Sequence, residues 1–107
     1  MANLLMPIRN DLPAYRFQVT LEGLLYFMEF RFNERAERWF FDIYDADETI
    51  LIGGIKVLNR QLLTARFKDT KLPPGDFFCF DESGDDEVPT RFNFAQNVVM
   101  IYRESTT

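Results

Sequence analysis

The sequence predicts an all-β fold: a small antiparallel sheet of about six strands, curled into a barrel or a sandwich. Three observations lead there. Apolar and polar residues alternate with a period of two over most of residues 15–58, which gives each segment one face toward a core. Short turns rich in Gly, Asn and Asp separate those segments. Aromatic residues make up 16% of the chain, and they occupy both faces of short segments. One flat sheet has too little inner surface for so many rings, so closure or self-association is expected.

The elements follow in order. Residues 1–12 read as an N-terminal arm. In Tyr15–Leu21, the residues Tyr15, Phe17, Val19 and Leu21 share one face, and Arg16, Gln18 and Thr20 the other. Glu22-Gly23 makes a tight turn, with Gly able to supply a positive φ. The next strand runs from about Leu24 to Phe32, with Leu24, Tyr26, Met28, Phe30 and Phe32 on its apolar face. Its other face changes from Leu25 and Phe27 to Glu29 and Arg31. After the polar turn Asn33–Ala36, Glu37–Tyr44 sets Trp39, Phe41 and Ile43 against Arg38, Phe40, Asp42 and Tyr44.

The turn Asp45–Glu48 leads into Thr49–Leu58, where Gly53-Gly54 predicts a bulge or sharp bend. Asn59–Lys71 reads either as one short helical turn near residues 60–67 or as an irregular connection. Pro73-Pro74-Gly75 ends it, because proline continues neither element. Asp76–Phe80 is a short strand with Phe78 and Phe80 opposite Phe77 and Cys79. The last strand, Asn97–Arg103, sets Val98, Met100 and Tyr102 against Val99 and Ile101, and residues 104–107 form a tail. The expected core contains Phe17, Val19, Phe30, Trp39, Phe41, Ile43, Phe78 and Phe80.

The 107 residues fit one domain, taken as residues 1–107, and 47% of them are hydrophobic, enough for one proper core. The longest apolar runs, such as Leu24–Met28, fall far short of the ~20 residues of a spanning helix, so no membrane contact is expected. No basic segment followed by an apolar stretch opens the chain, so no signal peptide is expected.

There is no histidine, which removes the commonest general base and the commonest metal ligand. The single cysteine, Cys79, allows neither an intrachain disulfide nor a Cys-based zinc site, which suits a reducing compartment of assembly. Between Phe78 and Phe80 it reads as an inert, buried thiol. No metal and no cofactor are expected, and the composition points away from an enzyme. Trp39, Phe40, Phe41 and Tyr44 read as core, since a base-stacking platform needs more basic neighbours.

The net charge of −5 is unevenly placed. Residues 1–75 hold 10 basic and 10 acidic residues, whereas residues 76–107 hold 2 basic and 7 acidic ones. Residues 56–71 carry Lys56, Arg60, Arg66, Lys68 and Lys71 against Asp69, a net +4. Residues 76–87 carry Asp76, Asp81, Glu82, Asp85, Asp86 and Glu87, a net −6. An acidic balance argues against nucleic-acid binding, which needs clustered cations on one face. The two opposed stretches suggest complementarity within the fold or across an interface, formed by Arg60, Arg66, Lys68 and Lys71 on one side and Asp81, Glu82, Asp85, Asp86 and Glu87 on the other.

The acidic run does not fit the helix-flanked calcium loop. Counting from Asp81, the sixth position is Asp86 where Gly is required, and the twelfth is Phe92 where a bidentate Glu is required. The carboxylate pairs Asp42/Asp45 and Asp81/Asp85 are the candidates for acid–base chemistry, which requires a cleft with two unequal environments. Aspartates in turns also have hydrogen-bonding reasons of their own.

The order of motifs goes further than composition. Thr20-Leu21-Glu22-Gly23 ends one strand. After it come the block from Phe32 to Asp47, Ile52-Gly53-Gly54-Ile55, Leu72-Pro73-Pro74-Gly75 and the loop Asp81-Glu82-Ser83-Gly84-Asp85. With Asn33, Trp39, Ile43, Tyr44 and Asp45 as its strongest marker, this order resembles the baseplate plug proteins of contractile-tailed cyanophages and related myophages, over roughly residues 13–103. Glu48 stands where the Asp-x-x-Gly turn of that pattern has Gly.

The resemblance implies a non-enzymatic structural protein of the virion, assembled in the host cytoplasm and seated in the tail baseplate. It implies hub, spike and tail-tube-end proteins as partners, several copies arranged by the tail symmetry, and a role in closing the lumen before contraction. The alternative reading is a small acidic adaptor that captures a basic protein partner.

Overall fold

The computed structural model describes residues 3–64, 72–85 and 88–104. Seven strands occur: β1 (Asn3–Leu5), β2 (Ala14–Leu21), β3 (Leu24–Asn33), β4 (Arg38–Tyr44), β5 (Ile50–Lys56), β6 (Asp76–Asp81) and β7 (Val98–Arg103). The meander β2-β3-β4-β5 forms one antiparallel sheet, and β1-β7-β6 forms a second. The sheets are not closed into a barrel. Their inner faces share one hydrophobic core, as in a sandwich.

The local chemistry of the meander accounts for its shape. At the β2–β3 turn Glu22 and Gly23 have φ of 50° and 84°, the mirror-image turn whose twist matches the flanking strands. That turn fixes the register, which pairs Arg16 with Glu29 and Phe17 with Met28. At the β4–β5 turn, the Glu48 N–H donates to the Asp45 carbonyl at 2.9 Å, and Glu48 takes φ 63°. The turn therefore keeps a left-handed residue even with Glu in place of Gly. The bend expected at Gly53-Gly54 is present as register shifts between β4 and β5.

Alternation places Tyr15 and Leu21 of β2, Tyr26, Met28 and Phe30 of β3, and Trp39, Phe41 and Ile43 of β4 in the core. Phe17 and Val19 are half-buried and pack against it. From the other sheet come Phe77, Cys79, Val98, Met100 and Tyr102, with Phe94 from the loop before β7. Here one expectation is corrected. Phe77 and Cys79 face inward on β6, whereas Phe78 and Phe80 are half-buried outside the core cluster. Their rings lie 6.2 Å apart on the opposite face of the strand.

One further correction, and one alternative that the sequence leaves open, concern the chain outside the meander. The stretch expected as an arm contains β1, whose Asn3 and Leu5 pair with Arg103 and Ile101 of β7. No helix occurs among the described residues. Asn59–Leu63 instead runs along the outer edge of β6, where the Arg60 N–H donates to the Cys79 carbonyl at 2.8 Å and the Leu63 N–H to the Phe77 carbonyl at 3.0 Å. The continuation of this segment through residues 65–71 lies outside the described residues.

Three distant parts of the chain meet at the Tyr102 hydroxyl. It accepts a hydrogen bond from the Gly75 N–H at 2.6 Å and donates one to the Glu22 carboxylate at the β2–β3 turn. A side chain at position 75 is sterically impossible without rearrangement: its Cβ would stand 2.2 Å from the Arg103 carbonyl oxygen and 2.6 Å from the Tyr102 ring.

Trp39 is fully buried, with its ring centroid 5.1 Å from Phe94 and its indole N–H donating to the Thr90 carbonyl at 2.8 Å. Trp39→Ala leaves a cavity between the sheets and an unpaired carbonyl, and is expected to cost about 3–5 kcal/mol, measured by urea unfolding. In the parent protein, acrylamide should quench the single tryptophan far less than free indole.

Candidate functional site

The structure divides the charged residues expected at an interface. Asp81 closes β6 and is 5% exposed. Its Oδ1 accepts from the Ser83 N–H at 2.8 Å, the Ser83 hydroxyl at 2.6 Å and the Asn97 side-chain amide at 3.0 Å. Asp81 thus builds the acidic loop and does not present itself to a partner, because a carboxylate that satisfies three local donors turns inward. Glu82 and Asp85 are exposed on that loop, and Arg60 is exposed beside β6. The Arg60 backbone bonds to Cys79, two residues before Asp81, so Arg60 and the start of the acidic loop lie near one end of the three-stranded sheet. Arg66, Lys68, Lys71, Asp86 and Glu87 lie outside the described residues.

The residues weighed for chemistry have structural partners. The Asp45 carboxylate accepts from the backbone N–H groups of Asp47 and Thr49, each at 2.9 Å, and thereby shapes the β4–β5 turn. Burial pushes the Cys79 thiol up, well away from thiolate formation. Among the described residues no group of three or more Asp, Glu, Cys or His side chains is placed to hold a metal ion.

A feature that the linear pattern does not reveal lies on the outer face of the meander. Glu29 of β3 pairs directly with Asp42 of β4, an unfavourable juxtaposition of two carboxylates. Arginines relieve it. Arg31 bridges both, with its guanidinium 3.5 Å from Glu29 and in a bidentate contact with Asp42. Arg16 continues the ladder to Glu29 at 3.3 Å and Glu48 at 2.6 Å, and lies over the Tyr44 ring at 4.6 Å. Asp42 also accepts from the Gly54 N–H at 2.8 Å, so the bulge on β5 supplies a donor to a buried carboxylate on β4. Burial raises the Asp42 carboxyl, but Arg31 and the Gly54 N–H outweigh burial and hold it below the ordinary carboxylate range.

Exposed apolar side chains flank this polar face at both ends; Leu5, Leu12, Leu62 and Val88 are exposed as well. Leu24, Leu25 and Ile50 are exposed at the end carrying the β2–β3 and β4–β5 turns. At the opposite end Phe92, 73% exposed, borders an open cleft of about 560 Å³ with Phe32 and Arg38. Arg91 is stacked 5.4 Å from the Phe92 ring and donates to the Asn10 carbonyl, which anchors that loop to the N-terminal segment.

The Asp42 carboxyl titrates lower in the folded chain than in the unfolded one, so its stabilisation is complete above about pH 4 and is lost as the pH falls below that. Arg31→Ala is expected to cost about 1–3 kcal/mol at pH 7, by leaving Asp42 facing Glu29, and much less at pH 3. Urea midpoints of both proteins at the two pH values check this. Millimolar calcium, with or without chelator, should leave the melting temperature of the parent protein unchanged.

No curated protein matches the chain. The family model described as cyanophage baseplate Pam3 plug gp18 matches residues 4–105, nearly the whole length, including the Trp39 strand, the Gly53-Gly54 bulge and the Leu72–Gly75 corner. Matched over nearly its whole length, the chain belongs to this family of baseplate plug proteins, structural components of the phage tail.

Proposed function

We propose that the protein closes the distal end of the tail tube, held among hub and spike proteins until contraction releases it. The observation that carries this reading is the exposure of apolar side chains at both ends of one sheet, Leu24 and Ile50 at one and Phe92 at the other, with a self-paired ionic ladder between them. A subunit held between neighbours buries both ends, whereas a subunit that works alone in solution leaves both in water. Several copies follow the tail symmetry, and the contacts are with protein rather than with nucleic acid or membrane.

The charged rim sets the register of this seating. Exposed ion pairs contribute only about 0–1 kcal/mol each, so the opposed charges of residues 56–71 and 76–87 serve partner choice better than fold stability. Such a rim also suits release, because charge-matched polar contacts fix orientation without the permanence of an apolar interface. Arg60, Arg66, Lys68 and Lys71, or Glu82, Asp85, Asp86 and Glu87, face the neighbouring baseplate subunit; Asp81 is excluded by its internal bonds.

A tag on the chain should appear at the distal end of the tube in extended tails and be lost from contracted ones; a tag elsewhere in the baseplate refutes the seating. Reversal of Asp85, Asp86 and Glu87 to Lys should reduce incorporation into tails while leaving the melting temperature of the isolated protein nearly unchanged. Normal incorporation of that variant and of an Arg60, Arg66 and Lys68 reversal would show that neither stretch reaches a neighbour.

A further inference from the structure

The two sheets have four outer edges, and three of them are blunted. The edge of β6 is covered by Asn59–Leu63, and β1 is only three residues long. The edge of β5 is bent by the bulge at Gly53-Gly54 and carries Lys56. Bulges, lysines and short lengths are the ordinary protections of a sheet edge. The fourth edge, β2, has none. It runs eight residues, pairs with β3 without a register shift, and has no backbone pairing on its outer side among the described residues.

The register identifies which groups are open. The Phe32 N–H donates to the Pro13 carbonyl at 2.8 Å, so the odd-numbered residues of β2 exchange hydrogen bonds with β3. The N–H and C=O groups of Ala14, Arg16, Gln18 and Thr20 therefore point outward from the sheet. The only charged side chain on the strand, Arg16, does not guard the edge: its bonds to Glu29 and Glu48 and its contact with Tyr44 hold it back over its own sheet. Phe17 and Val19, on the inner face at this edge, remain half-exposed although they pack against the core.

We propose that β2 is a docking strand, to which a neighbouring tail protein adds an extended segment as a fifth strand of the meander. The side chains of β2 define the chemistry of that segment. It is apolar at the alternate positions that cover Phe17 and Val19, and polar at those beside Arg16, Gln18 and Thr20. Main-chain bonds supply the affinity, and the alternation sets the register. A second copy joined β2 to β2 is the less suitable occupant, because such a self-complementary contact closes at two copies and cannot link the several copies that a tail's symmetry arranges. The proposal rests on the seating of the chain in the baseplate but not on its position at the tube end.

Hydrogen exchange tests it. In the isolated monomer the amides of Arg16, Gln18 and Thr20 should exchange rapidly, and in purified tails at least about tenfold more slowly, as expected when a strand covers them. Gln18→Pro removes one outward N–H and no bond to β3, so this variant should fold with a nearly unchanged melting temperature yet enter tails poorly. Val19→Pro, which removes an inward N–H, should lose stability itself. Equal exchange in monomer and tails would overturn the proposal, and so would normal incorporation of the folded Gln18→Pro variant. Slow exchange already in the dilute monomer would mean that the chain covers its own edge, and slow exchange that grows with concentration would identify a second copy; either result rejects the proposed occupant. If Gln18→Pro fails to fold, the exchange comparison on the parent protein decides alone.

Discussion

A seam of aromatic rings joins the two sheets, and the rest of the molecule is arranged around it. Phe41 of β4 meets Phe77 of β6 at 6.0 Å between centroids, while Phe30 and Trp39 meet Phe94 at 5.8 and 5.1 Å. Neither sheet has another way to hide its inner face, because no helix among the described residues lies over it. Each sheet has one apolar face that must be covered, and large flat side chains bury the most surface per position across the gap. Each ring also prefers an offset or edge contact, which limits how far one sheet can slide over the other.

The meander was legible in the sequence because its two signals agree. The Glu22-Gly23 turn fixes the pairing, and the alternation of Tyr15, Phe17, Val19 and Leu21 fixes which face turns inward. The phase of β6 was not legible for the opposite reason: with Phe at positions 77, 78 and 80 and Cys at 79, both faces are apolar, and a period of two cannot choose between them. Phe77 is selected by Phe41 and Tyr102, which belong to strands far away in sequence. β1 was missed because three residues are too few to show alternation, and its strand character comes from β7. The same distinction separates the charged residues. Asp81 looks from its neighbours like part of an exposed acidic run, but bonds from Ser83 and from the distant Asn97 hold its carboxylate inward. The Arg31–Asp42 contact is a diagonal pair across two strands, visible only once the register is known.

The outer face of the meander is often the surface such a fold offers to a partner, yet here it is already committed. Glu48, Arg16, Glu29, Arg31 and Asp42 form one connected ladder, and each charge in it is used to offset another. Surface outside that ladder remains open, including the two apolar ends, the exposed charges beside β6 and an uncovered strand edge. A structural role in an assembly needs no concave site, and the family to which the chain belongs is structural. The geometry agrees with that role in a specific sense, since contacts at ends and edges allow a subunit to be held from several directions at once.

The Tyr102 hydroxyl has a mechanical meaning. It ties the tip of the β2–β3 hairpin in one sheet to the chain entering β6 and to β7 in the other. Hairpins yield most easily when pulled from one end, one hydrogen bond at a time, like a zipper. Here the hairpin's closed end is clasped to the opposite layer, so a force applied at that end is shared by both sheets and loads many bonds in parallel. A subunit built this way passes a load on that hairpin to both of its layers, in keeping with a structural component of a tail.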